Sequence, residues 1–98
     1  MMAAFSIHVL AKRELIEAQD YYYKESPQAS VGFIEEIEKA FQSLYQFPEA
    51  YPVVLGKVRK RVILRFPYNI FYVVRPERIR ILAIAHQARR PFYWRSRK

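Results

Sequence analysis

The feature that most restricts the fold of this chain is a change in hydrophobic periodicity at Pro48. Before Pro48, apolar residues recur at intervals of three and four, which is the spacing of a buried stripe on a helix. After Pro48, short β-rich segments are separated by proline turns. Because the chain has only 98 residues, this change predicts helices followed by strands within a single domain, residues 1–98.

Two helices are predicted in the first half. The stripe of the first helix is Ala11, Leu15, Ala18 and Tyr22. The second helix starts at Ser26–Pro27, because a serine hydroxyl can cap free amides and proline fits the first helical position. Its stripe is Ser30, Ile34, Ile37, Phe41 and Leu44. We expect the two helices to form an antiparallel hairpin with both stripes, and Phe33, in the core.

Four strands complete the predicted fold. The first is Ala4–Leu10, and the others are Val58–Arg65, Asn69–Arg75 and Arg78–His86,. The sequence therefore predicts a two-layer α/β domain of the α+β type. It has an N-terminal strand, an antiparallel helical hairpin, and a three-stranded antiparallel meander that completes a small, mostly antiparallel sheet.

Charge is divided unevenly along the chain. Residues 57–98 hold thirteen lysine and arginine residues against a single acid, Glu77, whereas residues 1–56 hold four cations against eight acids. Such an excess attracts polyanions and acidic protein surfaces. We therefore expect the functional surface in the second half.

Side-chain alternation predicts where the basic residues lie. In the second strand, Val62, Leu64 and Phe66 share one face, and Arg59, Arg61 and Arg65 share the other. In the last strand, Ile79, Ile81, Ala83 and Ala85 oppose Arg78, Arg80 and His86. If the apolar sets face the helices, the arginines and His86 lie together on the open face of the sheet. The tail adds Arg89, Arg90, Arg95 and Arg97, interleaved with Phe92, Tyr93 and Trp94.

Several kinds of chemistry are disfavoured. A metal-dependent nuclease needs converging carboxylates, and the basic half has only Glu77,. His8 and His86 are too few for a zinc site, and the two glycines form no phosphate-binding loop. We therefore expect no metal and no cofactor. The consecutive tyrosines Tyr21–Tyr23 point in different directions on a helix, so we interpret them as core and rim residues and not as one stacking surface.

Metal-free cleavage of RNA remains possible, since it needs a proton acceptor, a proton donor and cations around the phosphate. The candidate catalytic residues for that reaction are Arg61, His86, Arg89 and Tyr93, with Arg59 as a further cation. The candidate residues for binding a target or a nucleic acid are Arg59, Lys60, Arg65, Arg78, Arg80, Arg90, Trp94 and Arg95. The charge excess favours binding over a merely solvated surface.

The order and spacing of these segments resemble the RelE/ParE superfamily of toxins from type II toxin–antitoxin systems. The resemblance covers nearly the whole chain. It rests on the opening strand, Ala11-x-x-x-Leu15-x-x-Ala18-x-x-Tyr21-Tyr22, the Phe33–Leu44 helix before Pro48, Val58-Arg59, Arg65-Phe66-Pro67-Tyr68, Phe71-Tyr72 and His86-x-x-Arg89-Arg90-Pro91-x-x-Trp94.

The resemblance implies a growth-arresting protein of the plasmid-stabilisation type. A cognate antitoxin is expected to neutralise it, with the antitoxin's C-terminal segment wrapped around the toxin in a hetero-oligomer. Relatives on this fold differ in target. ParE-like members poison DNA gyrase, whereas RelE-like members cleave messenger RNA on the ribosome with basic sheet residues and a C-terminal tyrosine. Lys60, Arg61, Arg89 and Tyr93 fall near the positions used by the cleaving branch.

One position weighs against cleavage. The cleaving branch commonly has arginine directly after the tyrosine matched by Tyr68, and this chain has Asn69. Losing a cation beside the scissile phosphate costs about 2–4 kcal/mol of barrier lowering, by analogy with loss of one oxyanion donor. The resemblance therefore favours a non-cleaving toxin that binds gyrase. A metal-independent endoribonuclease and a non-toxic nucleic-acid-binding module remain as alternatives.

The expected compartment is the cytoplasm. The chain has no cysteine, which fits a reducing environment. The uncharged opening, Met1–Ala11, is a poor secretory signal and is too short to span a bilayer, so we expect no membrane association.

Overall fold

The computed structural model describes residues 4–98. Two helices and five strands follow one another within these residues. They are β1 (Ala4–Ile7), α1 (Val9–Glu25), α2 (Pro27–Gln46), β2 (Val53–Leu55), β3 (Val58–Val62), β4 (Tyr68–Arg75) and β5 (Arg78–His86). The predicted α+β architecture is confirmed: an N-terminal strand, a helical hairpin and a run of strands that form one sheet.

The sheet has the strand order β1-β5-β4-β3-β2. β1 runs parallel to β5, and the other neighbouring pairs are antiparallel. The short edge strand β2 was not predicted. It consists of three residues between Pro52 and Gly56, too few to show alternation, and its pairing of Val53 with Arg59 forms only once β3 is in place,.

Local sequence explains the helix ends. Ser26 Oγ accepts a hydrogen bond from the Ala29 amide at 3.0 Å, which confirms the predicted cap of α2,. The Ser26 amide also donates to Tyr22 O at 2.9 Å and ends α1. Because one residue terminates α1 and caps α2, the hairpin turns with no loop. His8 Nδ1 caps α1 in a similar way by accepting from the Leu10 amide at 3.1 Å.

The main core lies between the helical hairpin and one face of the sheet. From the helices it contains Ala11, Ala18, Phe33, Ile37, Ala40 and Leu44, and from the strands and their connections Ile63, Ile70, Tyr72, Ile79, Ile81 and Ile84. Tyr72 is fully buried and its hydroxyl donates to Pro48 O at 2.7 Å, so the polar atom has a partner,. Phe33, Ile37 and Leu44 lie in the core, as predicted.

A bulge in β5 changes the face on which its later residues lie. Phe71 pairs with Ala83 and Tyr72 pairs with Ile81, which leaves Leu82 as an extra residue,. Ile79, Ile81 and Ile84 therefore face the helices, whereas Ala83 and Ala85 face the opposite side. The prediction that Ala83 and Ala85 share a face with Ile79 was wrong, because strict alternation does not anticipate the bulge.

The predicted faces of β3 were also wrong. Arg61 Nε donates to Ser43 Oγ of α2 at 3.1 Å, so its side chain lies on the helix side of the sheet. Val58 lies on the opposite side, and Val62 is 43% exposed. Alternation sorts the residues of a strand into two sets but does not say which set faces the core. The arginines of β3 reach the helix side because their guanidinium groups find acceptors there.

A second, smaller core covers the face of the sheet that points away from the helices. Its buried residues are Phe71, Ala83, Ala85 and Trp94. The Trp94 ring stacks on Phe71 with centroids 4.5 Å apart. Residues after β5 therefore fold back across the face that was expected to be open. Within the described residues, no helix is long and apolar enough to cross a membrane.

Candidate functional site

The basic side chains do not converge on one face, and the prediction of a single arginine surface was wrong. Arg59 Nη1 donates to Tyr51 O at 2.7 Å and to Glu49 O at 3.1 Å. Arg61 bonds Ser43 and the Val62 carbonyl, and its guanidinium lies 5.2 Å from the Tyr51 ring centroid. These two guanidinium groups therefore attach the segment between α2 and β3 to the sheet.

Arg65 forms part of another contact with α2. Its Nη1 lies 3.3 Å from a carboxylate oxygen of Glu36, which is buried on that helix. Arg65 has a φ of 72°, a conformation that costs an L residue energy. The ion pair and the close approach to Gly32, whose missing side chain leaves room for the guanidinium, hold it there.

Arg78 and Arg80 lie at the start of β5, far from the other candidates. The strand covers nine residues, so its two ends are about 25 Å apart. Arg80 donates to the backbone O of Lys98 at 3.2 and 3.3 Å. The predicted grouping of His86 with these two arginines does not hold, since His86 lies at the other end of the strand and its ring contacts Tyr68, with centroids 5.1 Å apart.

The remaining candidates except Arg95 meet at the end of β5 around a cleft of about 270 Å³, called here the C-terminal cleft. Phe71, Ala85 and Trp94 contribute apolar wall. Its polar and charged lining is Lys60, Asn69, His86, Gln87, Arg89, Arg90 and Tyr93. No carboxylate lines it, so the cleft presents positive charge beside an apolar surface.

Two cations of the C-terminal cleft are available to a ligand. Within residues 4–98, the side chains of Lys60 and Arg90 make no hydrogen bond and no ion pair. Arg90 is exposed and Lys60 is half-buried. Arg95 is exposed as well but does not line the cleft. Trp94 is only 1% exposed, so it offers a target little more than the part of its ring that forms the apolar wall of the cleft.

Sequence reasoning missed the group that positions this cleft, the Glu14 carboxylate of α1. It accepts from the Tyr93 hydroxyl at 2.6 Å, from two Arg97 nitrogens at 3.0 Å each, and from the Ile84 amide at 3.0 Å. Arg97 also donates to Leu82 O at 3.0 Å. Glu14 and Arg97 thus provide hydrogen-bond partners for the Ile84 amide and the Leu82 carbonyl, on the part of the β5 edge that β1 does not cover,. No spacing signal links residues 83 positions apart.

The candidate proton-handling groups, Tyr93 and His86, both form hydrogen bonds within the chain. The Tyr93 hydroxyl donates to the Glu14 carboxylate, and burial followed by that hydrogen bond raises the pKa of the Tyr93 hydroxyl above its ordinary value of 10.0. Arg89 lies over the Tyr93 ring at 3.8 Å and 4.0 Å from Glu14. His86 Nδ1 accepts from the Ala88 amide at 3.0 Å, so only Nε2 remains for a ligand.

Arg61 does not join this group. It lies on β3, separated from β5 by β4, and it points toward α2. The four candidate catalytic residues therefore do not surround one point. Within the described part of the chain, no three histidine, aspartate or glutamate side chains are placed to hold a metal ion.

The family model for the ParE toxin of the type II toxin–antitoxin system, parDE, matches residues 5–91. The chain belongs to this ParE toxin family, and membership implies a cognate ParD antitoxin as its partner.

One solved structure supports the fold independently. It is described as the chromosomal ParDE TA system from P. aeruginosa, and a chain in it superposes with a TM-score of 0.74. The two chains are 21% identical, and the match covers 87% of this chain and 96% of the other. No match was found among curated proteins.

Proposed function

We propose that this toxin arrests growth by binding DNA gyrase through the C-terminal cleft and not by cutting RNA. One observation carries the proposal: the cleft presents unpaired cations, Lys60 and Arg90, beside an apolar wall, while the Tyr93 hydroxyl donates its hydrogen bond to Glu14. Binding needs only the first arrangement, whereas cleavage needs both a proton donor and a proton acceptor, and of the two candidates in the cleft only His86 Nε2 is free,.

Family membership supports gyrase as the target, because the matched model describes ParE toxins. Asn69 supports the same conclusion. It lines the cleft at the position where the cleaving branch commonly carries arginine, and its side-chain oxygen accepts from Gln87 Nε2 at 3.3 Å. A neutral amide there supplies no fixed charge for a phosphate undergoing cleavage. The setting we propose is the cytoplasm.

The cleft binds an acidic surface of the target in this proposal. Cations at the rim of an interface speed association and set specificity, and each contributes modestly to affinity. An apolar wall next to them buries one or two side chains of the partner. The same chemistry suits an acidic and apolar segment of ParD, so occupation of the cleft by the antitoxin is a direct route to neutralisation.

Supercoiling by purified gyrase tests the proposal. The wild-type chain should inhibit supercoiling, and the double variant Lys60→Ala/Arg90→Ala should need about tenfold more protein for half inhibition. The control is Lys12→Ala/Lys24→Ala, which removes two exposed cations from α1 and leaves the cleft intact. Undiminished supercoiling at micromolar excess of the wild-type chain contradicts the proposal.

Primer extension on translated messages tests the ribonuclease alternative. The proposal predicts no new cleavage sites in the presence of the toxin. Cuts that disappear in Tyr93→Phe, with supercoiling unaffected, would instead assign the cleft to RNA cleavage. Salt-sensitive nucleic-acid binding without growth arrest would favour a non-toxic binding module.

A further inference from the structure

A second concave surface lies on the helix side of the molecule, away from the apolar wall of the C-terminal cleft. This groove of about 500 Å³ runs between α1 and the end of the sheet. Glu17, Tyr21, Tyr22 and Glu25 line it from α1, and Tyr68 and His86 line it from the strands. We call it the tyrosine groove. The groove shares His86 and Arg89 with the C-terminal cleft, but Lys60 and Arg90, the cations of the proposed gyrase site, do not line it.

The helix repeat places an aromatic ring between two carboxylates. Glu17, Tyr21 and Glu25 are spaced four residues apart, so they lie in a row on one face of α1,. All three side chains are exposed, and Tyr21 is 58% exposed. A ligand entering the groove therefore meets the Tyr21 ring with an acid on either side along the helix.

The aromatic rings form a continuous wall. Tyr21 and Tyr22 meet edge to face with centroids 5.2 Å apart, Tyr22 lies 6.3 Å from Tyr68, and Tyr68 lies 5.1 Å from His86. The interpretation that Tyr21–Tyr23 share no surface is correct only for Tyr23, which does not line the groove and is 63% exposed. Neighbouring helical residues share this wall because Tyr22 leans toward the sheet.

The free charge of the groove is negative. Glu17 and Glu25 form no ion pair within residues 4–98, whereas Glu14 at the inner end is paired with Arg97 and lies 4.0 Å from Arg89, a cation that also lines the groove. The chain as a whole carries a net charge of +8, so this surface is an exception. Charges more than a Debye length away, about 8 Å at physiological salt, are largely screened. Around Tyr21 the charges are therefore Glu17 and Glu25, which favour a cation there, while Arg89 lies beside Glu14 at the inner end.

Carboxylates around a tyrosine face suit a cation that can also stack. A guanidinium group does both, because it is planar, weakly hydrated and able to pair with carboxylates while lying on a ring. We propose that the tyrosine groove binds an arginine side chain presented by an extended segment of a protein partner. The guanidinium lies over Tyr21 and pairs with Glu17 or Glu25, and the arginine stem packs toward Tyr22 and Tyr68.

Nuclear magnetic resonance titration of the purified full chain tests the site. The probes are a capped Gly-Arg-Gly tripeptide and the same tripeptide with citrulline, which has nearly the same shape but no charge. Arginine peptide should shift the ring signals of Tyr21, Tyr22 and Tyr68. Citrulline peptide should bind about tenfold more weakly, since it loses both the cation–π contact and the ion pair.

Matched variants separate this site from general attraction of cations. The double variant Glu17→Gln/Glu25→Gln should weaken binding of the arginine peptide about fivefold. The double variant Glu35→Gln/Glu38→Gln makes an equal charge change on α2 and should leave binding of the peptide unchanged. Tyr21→Leu removes the ring without altering charge and should weaken binding severalfold.

Four outcomes would overturn the proposal. They are equal binding of the citrulline peptide, equal loss in both double variants, shifts centred on the C-terminal cleft, and tighter binding of spermidine than of the arginine peptide. Tighter binding of spermidine would mean that the groove binds polyamines in general and does not select arginine. Each outcome is independent of gyrase inhibition, so failure here leaves the proposed function untouched.

Discussion

Glu14 and Arg97 form an ion pair across 83 positions of sequence, with both carboxylate oxygens 3.0 Å from guanidinium nitrogens. The Glu14 and Arg97 side chains are only 12% and 10% exposed. The pair joins α1 to the segment after β5, and the Tyr93 hydroxyl bonds the same carboxylate. The position of the C-terminal cleft relative to the helices therefore depends on one acid that does not line it.

Removing one member of this pair should destabilise the chain strongly. Arg97→Ala leaves the Glu14 carboxylate buried without its main partner, and breaking a buried pair in this way costs about 3–5 kcal/mol. The free energy of unfolding in urea measures the loss. Arg95→Ala, an exposed neighbour, should change it by no more than about 0.5 kcal/mol. Similar losses in the two variants would show that the pair contributes little.

Trp94 should contribute to stability as a core residue. Trp94→Ala removes a ring that is 1% exposed and stacked on Phe71, so we expect a loss of about 3–5 kcal/mol. Phe92→Ala, where the ring is 40% exposed, should cost much less. Urea unfolding followed by far-ultraviolet circular dichroism makes the comparison without relying on tryptophan fluorescence. Equal costs would place Trp94 outside the core.

His8 should make stability depend on pH in the acidic range. Burial, followed by the nearby Arg97 and Arg80 charges, lowers the pKa of His8 below its ordinary value of 6.5. The unfolded chain then binds this proton more readily than the folded chain, and protonation also removes the Nδ1 acceptor that caps α1,. The contribution is present above pH 6.5 and is lost as the pH falls through the lower, folded pKa.

The variant His8→Asn isolates this effect, since asparagine caps a helix but does not titrate. The free energy of unfolding of each protein is measured from pH 8 down to pH 4. Over that range the variant should gain about 1 kcal/mol of stability relative to the wild type. A constant difference over that range would contradict the role of His8.

Tyr72 should produce the opposite dependence at alkaline pH. Burial raises the pKa of Tyr72 to about 12, although the Arg59 charge opposes the shift. The folded chain therefore keeps a proton that the unfolded chain releases near pH 10. Stability is fully present below pH 10 and falls as the pH rises through 12, with a slope of about 1.4 kcal/mol per pH unit from this group.

Tyr72→Phe should remove that part of the alkaline slope, at the cost of the hydrogen bond to Pro48 O. Tyr23→Phe, at a position that is 63% exposed, is the control and should keep the wild-type profile. Unfolding free energies between pH 9 and 12 provide the measurement. An unchanged slope in Tyr72→Phe would mean that other groups carry the alkaline dependence.

Local signals predicted the helices well and the short strand poorly. Ser26–Pro27 identified the hairpin because capping and proline geometry act within one turn of helix,. The strand β2 has three residues and exists through its pairing with β3. Its formation depends on a partner strand, and no local pattern in so short a segment reports that.

The candidate site was predicted in part. The expected cations Lys60, Arg89 and Arg90 do meet, because β3 and the segment after β5 approach the same end of β4. Arg59 and Arg61 do not join them, since they donate hydrogen bonds to backbone and hydroxyl oxygens on the helix side of the sheet. A guanidinium group near the edge of the sheet can lie on either face if hydrogen-bond acceptors are present. The charge of Arg59 and Arg61 therefore did not decide which face their side chains occupy.

The sequence by itself determined the order of the elements, the stripes that pack together and the family. Those properties follow from spacing along the chain and from residue types that act over a few positions. Only the tertiary structure decided which face each strand presents and which charges remain free. The extra residue Leu82 shifts the alternation of β5, and Arg97 neutralises Glu14 from the far end of the chain. Both effects depend on contacts between distant segments, which exist only after the sheet and helices have assembled.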